Sequence, residues 1–186
     1  MYTFYRSMMI DEHSIDIDNR KANNLLYLFM AIGVIPLFFI LVVYYTNPDN
    51  LLLHKIATST ENIPSITSSY NPLMTKVMDI YCKTAILLAL ILYILTFKTR
   101  KLIKKINQTT VLRSCLLSPF VYAYLLYLLC FQSFELTTAG RPVRLMSTND
   151  TTLLIFYIGL YLIIFFTSYF TLFTPVTAFK LLKGRL

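Results

Sequence analysis

KTRKLIKKINQTTVLR, residues 98–113, decides how this chain is read. It carries Lys98, Arg100, Lys101, Lys104, Lys105 and Arg113, and no Asp or Glu. Long apolar runs flank it on both sides. Basic residues crowded beside apolar spans stay on the cytoplasmic side of a membrane. These cations are therefore topology-setting, and the sidedness of every other segment follows from them.

Composition supports that setting. Of 186 residues, 56% are hydrophobic and 14% charged, against about a quarter charged in an ordinary soluble domain. With a mean hydropathy of +0.62, this points to membrane-spanning segments. The length fits a single membrane domain over 1–186. The net charge of +8 does not call for a nucleic-acid partner, because the cations sit at the ends of apolar spans. Trp is absent and Tyr occurs 14 times, so Tyr serves as the interfacial aromatic.

Outward from the basic loop, four spans emerge. The first covers 25–45, after a polar segment at 1–24 that lacks the pattern of a cleaved signal peptide. Met8 and Met9 leave a later translation start open beside Met1. Twenty-one residues at 1.5 Å each reach about 31 Å, the thickness of a hydrocarbon core. Insertion of its Leu, Ile, Val and Phe residues is favoured by about 4 to 8 kcal/mol. Pro36 removes a backbone bond beside Gly33, and a kink is expected there. The loop 46–76 is rich in Ser, Thr, Asn and Pro. Leu51, Leu52, Leu53 and Ile56 suit one short helix on the membrane surface. Lone His54 reads as a surface residue, not a metal ligand.

The second span, 77–97, contains Asp79 and Lys83. With the acid first at i and i+4, they are placed for a helical ion pair, or for gripping a partner. Ala85 and Ala89 form a small-xxx-small pair suited to close helix contact. The third span, 114–134, has Ser118-Pro119 in its first turns, where proline costs little. Its Tyr122, Tyr124 and Tyr127 place hydroxyls at bilayer depth, where they need partners. The loop 135–152 holds a turn at Gly140-Arg141-Pro142, and Asn149-Asp150-Thr151 spells a glycosylation acceptor. The fourth span covers 153–174, and Pro175 follows it. Its Tyr157, Tyr161 and Ser168 make one hydroxyl stripe. Cys82, Cys115 and Cys130 have no CxxC spacing and read as packing residues, with a Cys82–Cys130 bridge left open.

Sidedness follows from the cations. The N-terminal segment, the loop 98–113 and the tail hold twelve Lys and Arg, and the loops 46–76 and 135–152 hold four. The fold class is thus an all-α integral membrane protein with four transmembrane helices, both termini cytoplasmic and two polar loops outside. No phosphate loop, HExxH motif or Cys/His cluster appears, so no catalytic residue, metal or cofactor is expected. Apart from Asp79, the spans hold no carboxylate of the kind that ion-coupled transporters and intramembrane hydrolases use. The remaining assets are helix faces, hydroxyls and two outward loops, which suit recognition.

Several stretches are more specific: EHSIDIDNRKANN (12–24), KIATSTENIPSITSSYNPLMTKVMDIYCKTA (55–85), VLRSCLLSP (111–119), FELTTAGRPVRLMSTND (134–150) and FTPVTAFKLLK (173–183). In them the chain resembles the immunity proteins of pore-forming colicins, in particular the A-like group. The resemblance covers nearly everything from Met9 onward and includes the long polar loops. It implies a non-enzymatic, four-helix protein of the bacterial inner membrane. Its partner would be the pore-forming domain of an A-type colicin, bound within the lipid bilayer so that the channel does not open. Asp79, Lys83, Ala85, Ala89, Tyr157, Tyr161 and Ser168 are the candidate partner-binding residues. Holding the bundle together is the competing role for them. A small subunit of a membrane transporter, channel or secretion complex is the alternative for the whole chain.

Overall fold

The computed structural model describes the backbone of residues 2–97 and 108–182, and side chains within 18–97, 113–179 and at 182. Lys98, Arg100, Lys101, Lys104 and Lys105 lie outside the described residues; Arg113 is exposed. The helices are α1 (Tyr2–Thr46), α2 (Leu51–Ser59), α3 (Pro72–Lys83), α4 (Ala85–Thr96), α5 (Gln108–Phe131), α6 (Arg141–Ser147) and α7 (Asp150–Leu182). Two short strands, β1 (Ile66–Thr67) and β2 (Phe134–Glu135), pair in parallel, with Ile66 opposite Phe134 and Thr67 opposite Glu135. Among the described residues, four helical stretches are long and apolar enough to cross a membrane: Asp18–Thr46, Pro72–Thr96, Arg113–Phe131 and Asp150–Phe179.

α7 is the hub. It packs against α1, α3, α4, α5 and α6. A helix that is apolar on every side belongs in the interior, and α7 buries Leu153, Leu154, Tyr157, Leu160, Tyr161, Ile164, Phe165 and Tyr169. α4 lays Ala85, Ala89 and Leu92, all fully buried, into this core. The small-xxx-small pair thus faces the interior, where short side chains let backbones approach. α5 packs chiefly on α7, and most of its surface faces outward.

The helices overrun the spans read from sequence. α1 is helical from Tyr2 and passes Pro36 without a break. α3 begins at Pro72, because proline at the first helical position gives up only an N–H that had no partner. The second span is two helices meeting at Thr84, whose Oγ1 donates to the Tyr81 carbonyl at 2.7 Å. Pro119 does not sit in the first turns of its helix: α5 starts at Gln108, so the proline is interior. Pro175 does not end α7 either, which continues to Leu182. In lipid a helix is the cheapest state for the backbone, and neighbours can absorb one lost bond. Gly140 precedes α6 rather than forming a free turn, with Pro142 in the first helical positions. All three cysteines are free; Cys82 donates from Sγ to the Tyr157 carbonyl at 3.3 Å, so the Cys82–Cys130 bridge is not formed.

One contact locks α1 to α7. A Cβ built on Gly33 would overlap Oη, Cζ and Cε1 of Tyr161. The ring cannot swing away, because it stacks on Tyr81 at 5.9 Å and on Phe165 at 6.1 Å. Tyr81 in turn donates from Oη to the Gly33 carbonyl at 2.7 Å. Gly33→Ala is expected to destabilise the protein by about 1 to 3 kcal/mol, the usual result of overpacking. A lowered melting temperature in detergent would register this, and Tyr161→Leu in the same chain should restore part of the loss.

Candidate functional site

The end of the bundle that carries the two long loops is built as one unit. The segment 63–68 lies over the bundle, and its backbone carbonyls are gripped by side chains from below. Lys76 Nζ donates to the Ile63 carbonyl at 2.6 Å and to Ser65 Oγ at 3.1 Å. Lys83 Nζ donates to the Pro64 carbonyl. Tyr157 Oη donates to the Ile66 carbonyl at 2.8 Å. Ser68 N–H donates to Thr75 Oγ1 at 3.1 Å, and Ser68 Oγ donates to the Ser147 carbonyl at 3.2 Å. Buried carbonyls need donors, and here side chains of α3 and α7 supply them.

Lys83 also closes the ion pair expected from its spacing. Its Nζ lies 2.7 Å from Asp79 Oδ2, with the Asp79 side chain 0% exposed and that of Lys83 13% exposed. Neither carboxylate oxygen has a well-aligned hydrogen bond among the described residues, and the Ile66 backbone stands beside Lys83 as a second compensating group. The carboxylate therefore depends chiefly on Lys83 for its compensation.

β1 and β2 join the two loops, with the Phe134 N–H donating to the Ser65 carbonyl at 3.2 Å. Glu135 fastens this joint. Its Oε1 accepts from Ser69 N–H at 2.8 Å, Ser69 Oγ at 2.9 Å and Thr137 Oγ1 at 2.8 Å. Partial desolvation pushes the Glu135 carboxyl up, but the donors from Thr137 and Ser69 outweigh it and hold its pKa below the ordinary value. Beside the joint, Tyr44 Oη donates to Asn71 Oδ1 at 3.0 Å, and Asn71 Nδ2 donates to Asp150 Oδ1. That relay ties together the ends of α1, α3 and α7. Asn149, first residue of the acceptor triplet, caps α7 by accepting from Thr151 N–H at 2.9 Å.

The hydroxyl stripe divides by task. Tyr157 and Tyr161 are 0% exposed and Ser168 is 3% exposed. Tyr157 reaches the loop, and Ser168 Oγ bonds back to the Ile164 carbonyl of its own helix at 2.7 Å. Tyr161 Oη has no partner among the described residues. A bond between spans comes instead from residues the sequence reading passed over: Thr96 Oγ1 and Tyr169 Oη are 3.0 Å apart. The candidate partner-binding residues Asp79, Ala85, Ala89, Tyr157, Tyr161 and Ser168 thus lie inside the isolated chain, with Lys83 at its margin.

What lies outside is different. Tyr124 and Tyr127 on α5 are 64% and 52% exposed, whereas Tyr122 tilts against Phe170 at 6.2 Å. An apolar groove of about 480 Å³ runs between α1, α2 and α3, lined by Phe39, Val43, Leu53, Ile56, Val77 and Ile80 among others. α2 is the surface helix expected from its leucines, with Leu53 buried and Leu51 and Leu52 exposed. His54 is exposed, and no group of His, Cys, Asp or Glu among the described residues is placed to hold a metal. The arrangement offers shaped faces and hydrogen-bonding groups, the equipment of a binding protein.

Comparison with known proteins agrees with that chemistry. The family model for colicin immunity proteins matches residues 49–186. The chain is 78% identical over 177 residues to the colicin-A immunity protein of Citrobacter freundii, spanning 95% of this chain and 99% of that protein. It is 39% identical over 167 residues to the colicin-B immunity protein of Escherichia coli, spanning 90% of this chain and 95% of that one. No solved structure matches the chain significantly.

Two outcomes test the loop end. Removing one member of a buried ion pair strands the other, so Lys83→Met is expected to destabilise the protein by about 3 to 5 kcal/mol, and Asp79→Asn with Lys83→Met together by less. Thermal unfolding in detergent measures both. Glu135 has its folded pKa below the unfolded value. Its contribution is therefore present above the unfolded pKa and is lost as pH falls through the folded one. Protease cutting near residue 69 should rise in that acidic range, and Glu135→Gln should flatten the dependence.

Proposed function

The chain belongs to the colicin immunity protein family, and we propose that it protects a bacterium by binding the pore-forming domain of an A-type colicin within the inner membrane, so that the channel does not open. The observation that carries this is the 78% identity to the colicin-A immunity protein across 95% of the chain. Four helices of spanning length give it the form of a multi-pass membrane protein. The distribution of Lys and Arg supports a topology with both termini in the cytoplasm and the joined loops outside, where a toxin arrives. As an inhibitor-like binding protein it needs neither catalytic residues nor a cofactor.

Binding in lipid is a problem of shape and hydrogen bonding. Lipid tails are as apolar as leucine, so apolar area alone does not distinguish one helix from another. Asp79, Lys83, Ala85, Ala89, Tyr157, Tyr161 and Ser168 serve the partner at one remove in this reading. They fix the spacing of the helices and the height of the loops, and thereby the surface the colicin meets.

Expression in colicin-sensitive bacteria tests the proposal directly. Selective survival against colicin A, with killing by a pore former of the other group, is expected; equal killing by both refutes it. Sidedness is tested in a chain freed of its native cysteines. A reagent confined to the cell exterior should label Glu61→Cys and spare Lys104→Cys, and the reverse pattern would invert the topology.

A further inference from the structure

We infer that a seam along α5, running through Leu117, Phe120, Tyr124, Tyr127 and Phe131, is the surface on which a membrane-inserted colicin helix docks, with the hydroxyls of Tyr124 and Tyr127 donating hydrogen bonds to it. The inference rests on the colicin-binding reading above and adds where on the chain the toxin sits.

The seam is defined by its period and its exposure. Its residues follow one another at intervals of three, four, three and four. That spacing averages 3.5 residues, the repeat that keeps one side of a helix turned toward another helix crossing at a shallow angle. All of them face outward: Leu117 is 69% exposed, Phe120 77%, Tyr124 64%, Tyr127 52% and Phe131 67%. Tyr127 and Phe131 stack at 6.0 Å, which stiffens one end. α5 itself leans chiefly on α7, so this side is open to a neighbour.

Exposed apolar residues alone would call for nothing but lipid. The middle of α1 shows Ile32, Ile35, Phe38 and Phe39, and the middle of α4 shows Leu87, Leu90, Ile91 and Ile94, hydrocarbon against hydrocarbon. The seam differs in carrying two hydroxyls at depth. Tyr124 lies about 17 Å along the helix from Arg113 and about 10 Å from Phe131. Helical tyrosines lean toward the helix N-terminus, which carries its hydroxyl to the middle of the span. Tyr127 follows one turn later. Neither hydroxyl has a hydrogen-bond partner among the described residues. Lipid tails provide no acceptor, so each group gains most from a partner that brings one. The fitting occupant is a helix that enters the bilayer with carbonyl, amide or hydroxyl oxygens at that depth. An immunity protein must tell one such helix from another, and these two mid-helix donors on one exposed face suit that choice.

The test uses the full chain in the inner membrane of sensitive cells exposed to colicin A. A photo-crosslinking amino acid at position 120 should yield adducts with the colicin, and one at position 39 or 87 should not. Tyr124→Phe with Tyr127→Phe should lower the colicin concentration that kills by about tenfold, as expected for two lost interhelical hydrogen bonds. Accumulation and melting temperature should stay unchanged, and Tyr27→Phe, on exposed α1, should protect fully. Colicin adducts from 39 or 87 in place of 120, or full protection by the double variant, overturn the inference while the immunity reading stands. Adducts at 120 between two copies of the chain, with none to colicin, overturn it in favour of self-association. If the unaltered chain protects against no pore-forming colicin, the immunity reading fails and the inference falls with it.

Discussion

The attraction between Lys83 and Asp79 governs the loop end of this protein. A carboxylate inside an apolar span is costly unless a cation is held beside it, and Lys83 is so held at 2.7 Å. The same ammonium donates to the Pro64 carbonyl, so the site of the cation is also the site of the loop. Once Pro64 is fixed, Ile66 comes within reach of Tyr157, and β1 is positioned to pair with β2. The second loop follows from the first through that pairing and Glu135. A pair of charges one helical turn apart thereby determines how both loops are presented.

The rest of the bundle answers to a different constraint, close approach. α7 is apolar on all sides and bulky, and helices in lipid pack by fit because apolar burial gives no driving force there. Two neighbours yield space to it in different ways. α4 offers Ala85 and Ala89, and α1 offers Gly33, which leaves room for the whole Tyr161 ring. The ring is then clasped by Tyr81, which completes its own bond on the Gly33 carbonyl. A Tyr161 hydroxyl without a partner among the described residues is tolerated because the packing of the ring outweighs it. Stability in this core comes from shape at a few positions, with hydrogen bonds in a supporting role.

Residues whose meaning is local were legible in the sequence. The spans, the short helix at α2, the Asp79–Lys83 pair and the close-contact alanines follow from run length, period and spacing of three or four. Glycine beside proline in α1 was legible only as a weak point, because what Gly33 accommodates is a tyrosine 128 positions away. The grip on the loop carbonyls was invisible for a similar reason: a lysine's place in sequence does not reveal which distant backbone oxygen it meets. The helix boundaries around Pro119 and Pro175 were not legible: α5 starts at Gln108, earlier than its apolar run, and α7 runs on to Leu182, so both prolines are interior. The hydroxyl stripe on α7 was legible with two roles open, holding the bundle and meeting a partner, and its burial in the bundle agrees with the first; a period shows that residues share a face and not what the face meets.

That last distinction bears on how such a protein can be specific at all. Groups that hold the fold together are not free to choose a partner, and in the proposed reading the two sets occupy different surfaces. Asp79, Tyr157 and Tyr161 are sealed inside, so a change in any of them alters every face together. The α5 seam lies outside and rests on that interior, whereas the joined loops root in it through Ile66, Ser68 and Leu136. A hydroxyl on an exposed helix contributes little to the monomer's stability, so it can be gained, lost or moved along the helix with the bundle intact. Discrimination between toxins then needs only a change in where donors sit along an otherwise greasy surface. Such changes are cheap for the fold and decisive for a helix that must find its acceptors matched or leave them unpaired in lipid.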